Sequence, residues 1–466
     1  TIILGGAFID FFDMFIGALL VKAPSYFLAS WGAPGWLTAL IANGLGTGIQ
    51  TVATFVPIIA VMFFLLALLE DSGYISRAAF LMDRIMRTLG LPGKAFVPLI
   101  VGFGCTVPAI MATRTLESRK DRLLTVFMAP LMSCGARLPV YALFAAAFFP
   151  NSGGTIVFSI YMIGMLLSIG TGFLLRKTIF QGPVSSFVLE LPTYHKPRLR
   201  HIFRHTWINL KGFVWKAGRV IVAMVAILGV LNSVGTDGSI GNFDSEKSAL
   251  AAVGKTVQPI FAPMGVEKKN WPAAVALFTG LFAKEAVVGT MTGLYAQNST
   301  VEIKPEVPGD FDLPALLGDA FLSIPANLSA VVSGFLDPLG LGTLEEDLDQ
   351  DTSGIIGNLQ RGFSGNPLQA YAYLLFILIY FPCVAVFGAT AKEMGLGWAW
   401  LSAGYLTVLG WALATLFFQL TVGFSILWIS VSLLLLAASF LALLIAGKRK
   451  KKITPLGRFI PIAKAR

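Results

Sequence analysis

Gly102-Phe103-Gly104-Cys105-Thr106-Val107-Pro108 puts two glycines and a proline inside an otherwise apolar run. Such a segment cannot continue as one unbroken helix, because proline removes a backbone donor and glycine weakens the helix interior. The surroundings decide what the break means. Of 466 residues, 56% are apolar and 13% charged, about half the usual charged share of ~25%. Apolar runs recur at Phe55–Leu69, Gly154–Leu175, Val220–Val234, Ala370–Ala391, Trp398–Leu420 and Phe424–Gly447. They have the length of bilayer spans. In a bilayer, a broken helix is tolerated only where protein or a water-filled cavity surrounds it. The expected fold is therefore an all-α polytopic membrane protein whose broken or re-entrant helices line an interior path.

Charge orients the chain. Residues 293–366 carry eleven acids against Lys304 and Arg361, while the remainder has 14 acids and 33 bases. The positive-inside rule accounts for this asymmetry better than nucleic-acid binding does. It places Arg114–Arg122, Arg176–Arg219 and Lys448–Lys452 on the cytoplasmic side, and 293–367 outside. Spans at 51–69, 123–149, 155–175, 217–234, 368–391, 398–420 and 424–446 satisfy those anchors only if 95–113 and 271–292 are re-entrant, with the first turning at Gly102-Phe103-Gly104. The chain opens with no basic segment or cleavage site of a signal peptide. Its start reads as the tail of a first helix that Asp10 and Asp13 end, with a further segment expected before it.

The ladder contains an internal repeat. Ala67–Tyr74 corresponds to Gly229–Gly235, Leu89-Gly90-Leu91 to Met264-Gly265-Val266, and Met128–Cys134 to Ile377–Cys383. The copies run in opposite senses, an inverted repeat of the kind that brings broken helices together near the midplane. The expected division is 1–50, first-helix remnant and periplasmic or interfacial segment; 51–150, first gate-type unit; 151–216, a span and a basic cytoplasmic element; 217–397, second gate-type unit with the acidic insertion 293–367; and 398–466, two spans and a basic tail.

Three cysteines sit at breaks: Cys105; Cys134 in Ser133-Cys134-Gly135-Ala136-Arg137-Leu138-Pro139; and Cys383 after Pro382. Buried cysteines can be small packing residues, yet all three at breaks points to ligation. Thiolate suits Fe²⁺ and later transition metals over Mg²⁺ or Ca²⁺. Lys284-Glu285 lies inside an apolar run, where ionisable groups are costly and tend to be functional; mutual neutralisation or a helix end buried in protein is the plain alternative. Glu70-Asp71 closes a span, either attracting a dication or sitting as a solvated helix end. Arg137 could pair with an acid or oppose cations. His201 and His205 have ligand spacing, and His195 is near, but Lys196, Arg198, Arg200 and Arg204 disfavour a dication there. That stretch reads as a basic helix on an anionic leaflet. Gly254-Lys255-Thr256 is no phosphate loop, since Ala249 replaces its first glycine.

The run Leu89–Leu116, with Met128–Pro139, Leu189-Glu190-Leu191-Pro192-Thr193-Tyr194-His195 and Leu281-Phe282-Ala283-Lys284-Glu285, resembles the ferrous iron transport protein B family over almost the whole chain. The resemblance implies the permease portion of a bacterial inner-membrane, multi-pass Fe(II) importer, with Fe(II) as transported substrate. GTP and Mg²⁺ would act only through a preceding G-protein domain, and small cytoplasmic partner proteins of the same system are implied, with homo-oligomerisation left open. The family's pore cysteines match Cys105, Cys134 and Cys383. The metal donors expected are these three, Glu285, Glu70 and Asp71. The alternative is a gate-type transporter of an organic solute such as a nucleoside. An enzyme using Cys105 as nucleophile lacks a histidine in any span to activate it. Cysteines introduced at Asp349 and Arg200 test the topology: an impermeant reagent added outside should label the first and spare the second, and the reverse would overturn it.

Overall fold

The computed structural model describes residues 8–32, 34–180, 194, 196–235, 247–297, 313–334 and 353–451. The described residues are almost entirely helical, with one isolated β-bridge between Gly235 and Ser248. Six helical stretches are long and apolar enough to cross a membrane, or seven if a bent pair is one span. They are α1 (Ile9–Leu28), Leu40–Asp71, Arg119–Phe148, α8 (Gly153–Thr178), Pro367–Met394 and Leu396–Gly423.

The first described helix differs from the sequence expectation. Helix α1 does not end at Asp10 and Asp13 but contains them. Asp10 lies in the first turn of the helix, where the macrodipole favours an acid, and accepts from Asn327 Nδ2 at 2.7 Å. Asp13 Oδ1 accepts from Gln50 Nε2 at 2.8 Å. With both carboxylates satisfied, the apolar helix continues through them. The next span likewise begins upstream of residue 51.

Two successions of elements follow the same order. The first is α2 (Thr47–Asp71), α3 (Tyr74–Thr88), α4 (Phe96–Gly104), α5 (Thr106–Ala112), α6 (Arg119–Met128) and α7 (Leu138–Phe148). After α8 and a basic helix α9 (Leu199–Phe213) comes the second: α10 (Arg219–Ser233), α11 (Ala249–Phe261), α12 (Trp271–Phe282), α13 (Ala286–Gln297), then, after α14 (Leu313–Gly334) and α15 (Ser353–Gly362), α16 (Pro367–Ile379) and α17 (Val384–Met394). Helices α18 (Leu396–Phe418) and α19 (Ile426–Lys451) close the described bundle.

The agreement extends to backbone detail. Helices α3 and α11 each end at a glycine in the left-handed region, Gly90 at φ 79° and Gly265 at φ 99°. In each, the following amide closes the helix end, Leu91 N to Met86 O at 3.0 Å and Val266 N to Phe261 O at 3.2 Å. A Cβ would be strained at both, and would also meet Arg176 at Gly90 and Phe418 at Gly265. A short 3₁₀ turn then leads into α4 and α12. The chain bends by 102° between Tyr74–Thr88 and Gly93–Gly104. Helix α3 thus turns aside with Phe80, Leu81 and Ile85 exposed.

The equivalent turns lie at opposite ends of α8, whose 26 residues span roughly 39 Å at 1.5 Å per residue. At its C-terminal end Arg176 Nη1 donates to the carbonyls of Arg87 and Thr88 at 3.2 and 3.1 Å. Lys94 and Glu117 pair there at 3.4 Å, so the α4–α5 hairpin returns to the end it left. At the other end, next to the start of α8, Gln360 donates to the Ala147 carbonyl and Ser364 to Glu267. Tyr295 hydrogen-bonds Asn270, so α12–α13 likewise returns to its own starting end. Both hairpins behave as the re-entrant reading requires, although the first turns at Gly104–Cys105, slightly beyond the expected point.

The basic end also holds an ionic contact between the two successions. Glu393, at the end of α17, is buried and accepts both Nε and Nη2 of Arg114 and, at 3.3 Å, Nη2 of Arg122. It ties the two successions together. Of the acidic stretch 293–367, α14 is described and packs on α1, with Phe321 against Phe11. Asp349, His195 and the tail from 452 lie outside the described residues. Replacing Glu393 with Gln should lower unfolding stability by about 1–2 kcal/mol, since Arg114 is half exposed and screened; thermal unfolding in detergent measures it.

Candidate metal path

Each thiol occupies a break. Cys105 is the extended residue between α4 and α5, at φ −151° and ψ 128°. Ala283, after α12, adopts nearly the same conformation at φ −143° and ψ 130°. Cys134 follows the 3₁₀ turn Ala129–Leu131 and is extended, as is Cys383 ahead of α17. Cys134 lies midway along Arg119–Phe148 and Cys383 near the middle of Pro367–Met394, so both sit deep.

Packing across the successions converges these breaks. Helix α5 packs on α17, and α13 on α7. The breaks that hold Cys105 and Cys383 thereby lie at one interface, at the starts of α5 and α17. The three thiols are free and partly buried. Cys105 and Cys383 also touch an apolar cluster that includes Val107 and Val386. Among the described residues no group of three or more His, Cys, Asp and Glu is drawn together closely enough to hold a metal ion. The donors surround a common region without forming a closed site.

Glu70 and Asp71 do not join them. They end α2 at the basic end, where Asp71 Oδ2 accepts the Arg198 amide at 2.9 Å. Of the six expected donors, these two therefore lie apart from Cys105, Cys134, Cys383 and Glu285.

The cations have partners that local sequence could not name. Lys284 is buried; its Nζ donates to the Phe381 carbonyl at 3.0 Å and lies 3.2 Å from the centroid of the Tyr380 ring. It is engaged by the α16–α17 break and not by a bridge to Glu285. Arg137 is buried too, with Nη2 donating to Pro130 O at 3.2 Å, Nη1 to Met132 O at 3.5 Å, and Nε unpartnered. It braces the α6–α7 break through carbonyls and, among the described residues, pairs with no acid. Ser133 Oγ donates to the buried Tyr141 hydroxyl at 3.1 Å in the same break.

A family model described as Gate, nucleoside recognition, matches residues 52–148 and 214–397, the two successions above. The chain belongs to the Gate family. A second model, FeoB_C, ferrous iron transport protein B C terminus, matches 157–209 between the two gate segments. A protein named Fe(2+) transporter FeoB from Legionella pneumophila is 48% identical over 418 residues, 89% of this chain and 55% of that protein. One of the same name from Salmonella typhimurium is 43% identical over 422 residues, 90% of this chain and 54% of that protein. The chain thus spans about half the length of these curated relatives. No solved structure matches it. The resemblance seen in the motifs agrees with these findings.

Gly280 of α12 faces the Tyr380 hydroxyl and Val287, and an added Cβ would clash with both. Gly280→Ala should push the ring away from Lys284 and destabilise the fold by about 1–3 kcal/mol, as overpacking does; the unfolding transition reports it.

Proposed function

We propose that this gate-family chain is the permease of a ferrous iron importer in a bacterial inner membrane, with Fe²⁺ as the transported substrate. The observation that carries the reading is that Cys105, Cys134 and Cys383 each sit at a break between apolar helices, with Glu285 just after a fourth break at Ala283. A dication cannot cross hydrocarbon with its charge uncompensated, so the protein must offer ligands at depth. Thiols, one carboxylate and carbonyls freed at the breaks are the donors available. Thiols favour Fe²⁺ over Mg²⁺ and Ca²⁺. Donors spread around a region, instead of a closed tetrahedron, suit a cargo that must be released. The relatives' shared name and the FeoB_C match favour iron over a nucleoside, the solute in the description of the gate model. GTP and Mg²⁺ would act through a separate G-protein domain, with small cytoplasmic partners. Glu70 and Asp71, at the basic end, would serve at most as a cytoplasmic exit.

The two successions are proposed to be an inverted repeat. Their turns at opposite ends of α8 and the matching conformations of Cys105 and Ala283 support this. Its use is mechanical: two hairpins entering from opposite ends can open the same central region alternately.

Serine at each cysteine keeps the shape but loses the soft ligand. In the natural full-length protein the triple serine variant should cut Fe²⁺ uptake into vesicles by roughly tenfold or more, the effect of losing about 1.4 kcal/mol of ligation. Wild-type uptake by a folded triple variant would make the cysteines packing residues and defeat the mechanism.

A further inference from the structure

The freed carbonyls of both deep breaks are already occupied by side-chain cations. A helix ending inside protein leaves its last carbonyls without intrahelical partners. In the α6–α7 break, those of Pro130 and Met132 receive Arg137. In the α16–α17 break, that of Phe381 receives Lys284. These are the oxygens that a dehydrated cation passing Cys134 and Cys383 would use.

The two occupants are not equivalent. Arg137 comes from its own break, a few residues from the carbonyls it holds, and contacts two of them. Its guanidinium is a fixed brace. Lys284 reaches across from the α12–α13 break to a different segment and contacts a single carbonyl. Its other contact is the face of Tyr380, an attraction an ammonium makes without fixed hydrogen-bond geometry. The lysine stem is flexible and its head compact, so it can leave this position without dismantling the break. Glu285, next along the chain, offers a carboxyl group nearby for it or for an arriving cation.

We propose that Lys284 is a resident cation of the path, holding the Phe381 carbonyl and the Tyr380 ring while no cargo is present and giving way to a dication. This rests on the transport reading above. It makes Lys284 a selectivity residue. A monovalent ion gains too little from Cys134, Cys383 and Glu285 to displace a tethered charge of its own valence, whereas a soft dication gains the thiols and twice the attraction to the carboxylate. The interior stays sealed to Na⁺ and K⁺ because the site already contains their equivalent.

The test uses the natural full-length protein in liposomes, reading Fe²⁺ uptake and K⁺ leak separately. Lys284→Met should raise K⁺ leak by about tenfold or more, a conservative figure for removing a unit charge a few ångström from the path. Lys284→Arg should stay sealed to K⁺ but lose Fe²⁺ uptake several-fold, because a two-pronged guanidinium holds carbonyls more firmly. A Lys284→Met variant with wild-type leak overturns the proposal, as does a Lys284→Arg variant with wild-type uptake, and the latter decides the matter if Lys284→Met does not fold. Were wild-type protein to carry no Fe²⁺ while Lys284→Met leaked K⁺, the iron reading would fail and the resident cation would stand.

Discussion

Backbone groups inside a bilayer have no water to turn to, and every break in a helix must be paid for within the protein. This constraint organises the chain. Cys105, Ala283, Cys134 and Cys383 interrupt helices deep in the bundle, and each interruption exposes carbonyls. The bundle surrounds those breaks with packed helices, α5 against α17 and α13 against α7, and supplies Arg137 and Lys284 as donors. The interior that results is polar in a specific sense: it is rich in acceptors and thiols and carries buried cations.

Much of this was legible in the sequence because breaks leave local marks. Glycine and proline clusters disclose where a helix cannot continue, and the breaks at Cys105 and Ala283 fall inside the two segments that charge asymmetry around apolar runs set apart. Gly90 and Gly265 sit at corresponding places because the same left-handed turn must end α3 and α11. What stayed hidden depends on contacts across long sequence separations. Nothing in Lys284-Glu285 tells a reader that the lysine reaches Phe381, nearly a hundred residues away. Nothing in Lys392-Glu393 shows that Glu393 meets Arg114 and Arg122. Asp10 and Asp13 looked like helix terminators for the same reason: their partners, Asn327 and Gln50, lie elsewhere, and an acid with a partner no longer ends an apolar helix.

The candidate site was read with a similar division. Thiols at breaks could be found one by one, since each break has its own signature. Glu285 stood out because a carboxylate in an apolar run is expensive. Glu70 and Asp71 carried no such penalty, being at a span end, and the structure leaves them at the basic end with Arg198. The cost of placing a residue where it is told which residues lie among the helix breaks, and acidity alone did not.

The ion cluster at Glu393 and the cation at Lys284 give the two ends of one helix different duties. Helix α17 begins at Cys383, beside the break that Lys284 holds, and ends at Glu393, held by two arginines of the other succession. A movement that freed Lys284 from Phe381 would shift the start of α17, and the short, rigid helix would carry that shift toward Glu393. The arginines there lie in the turn after α5 and in the first turn of α6, which leads to Cys134. The same contacts that close the interior thus join both breaks to the charged cluster at the basic end.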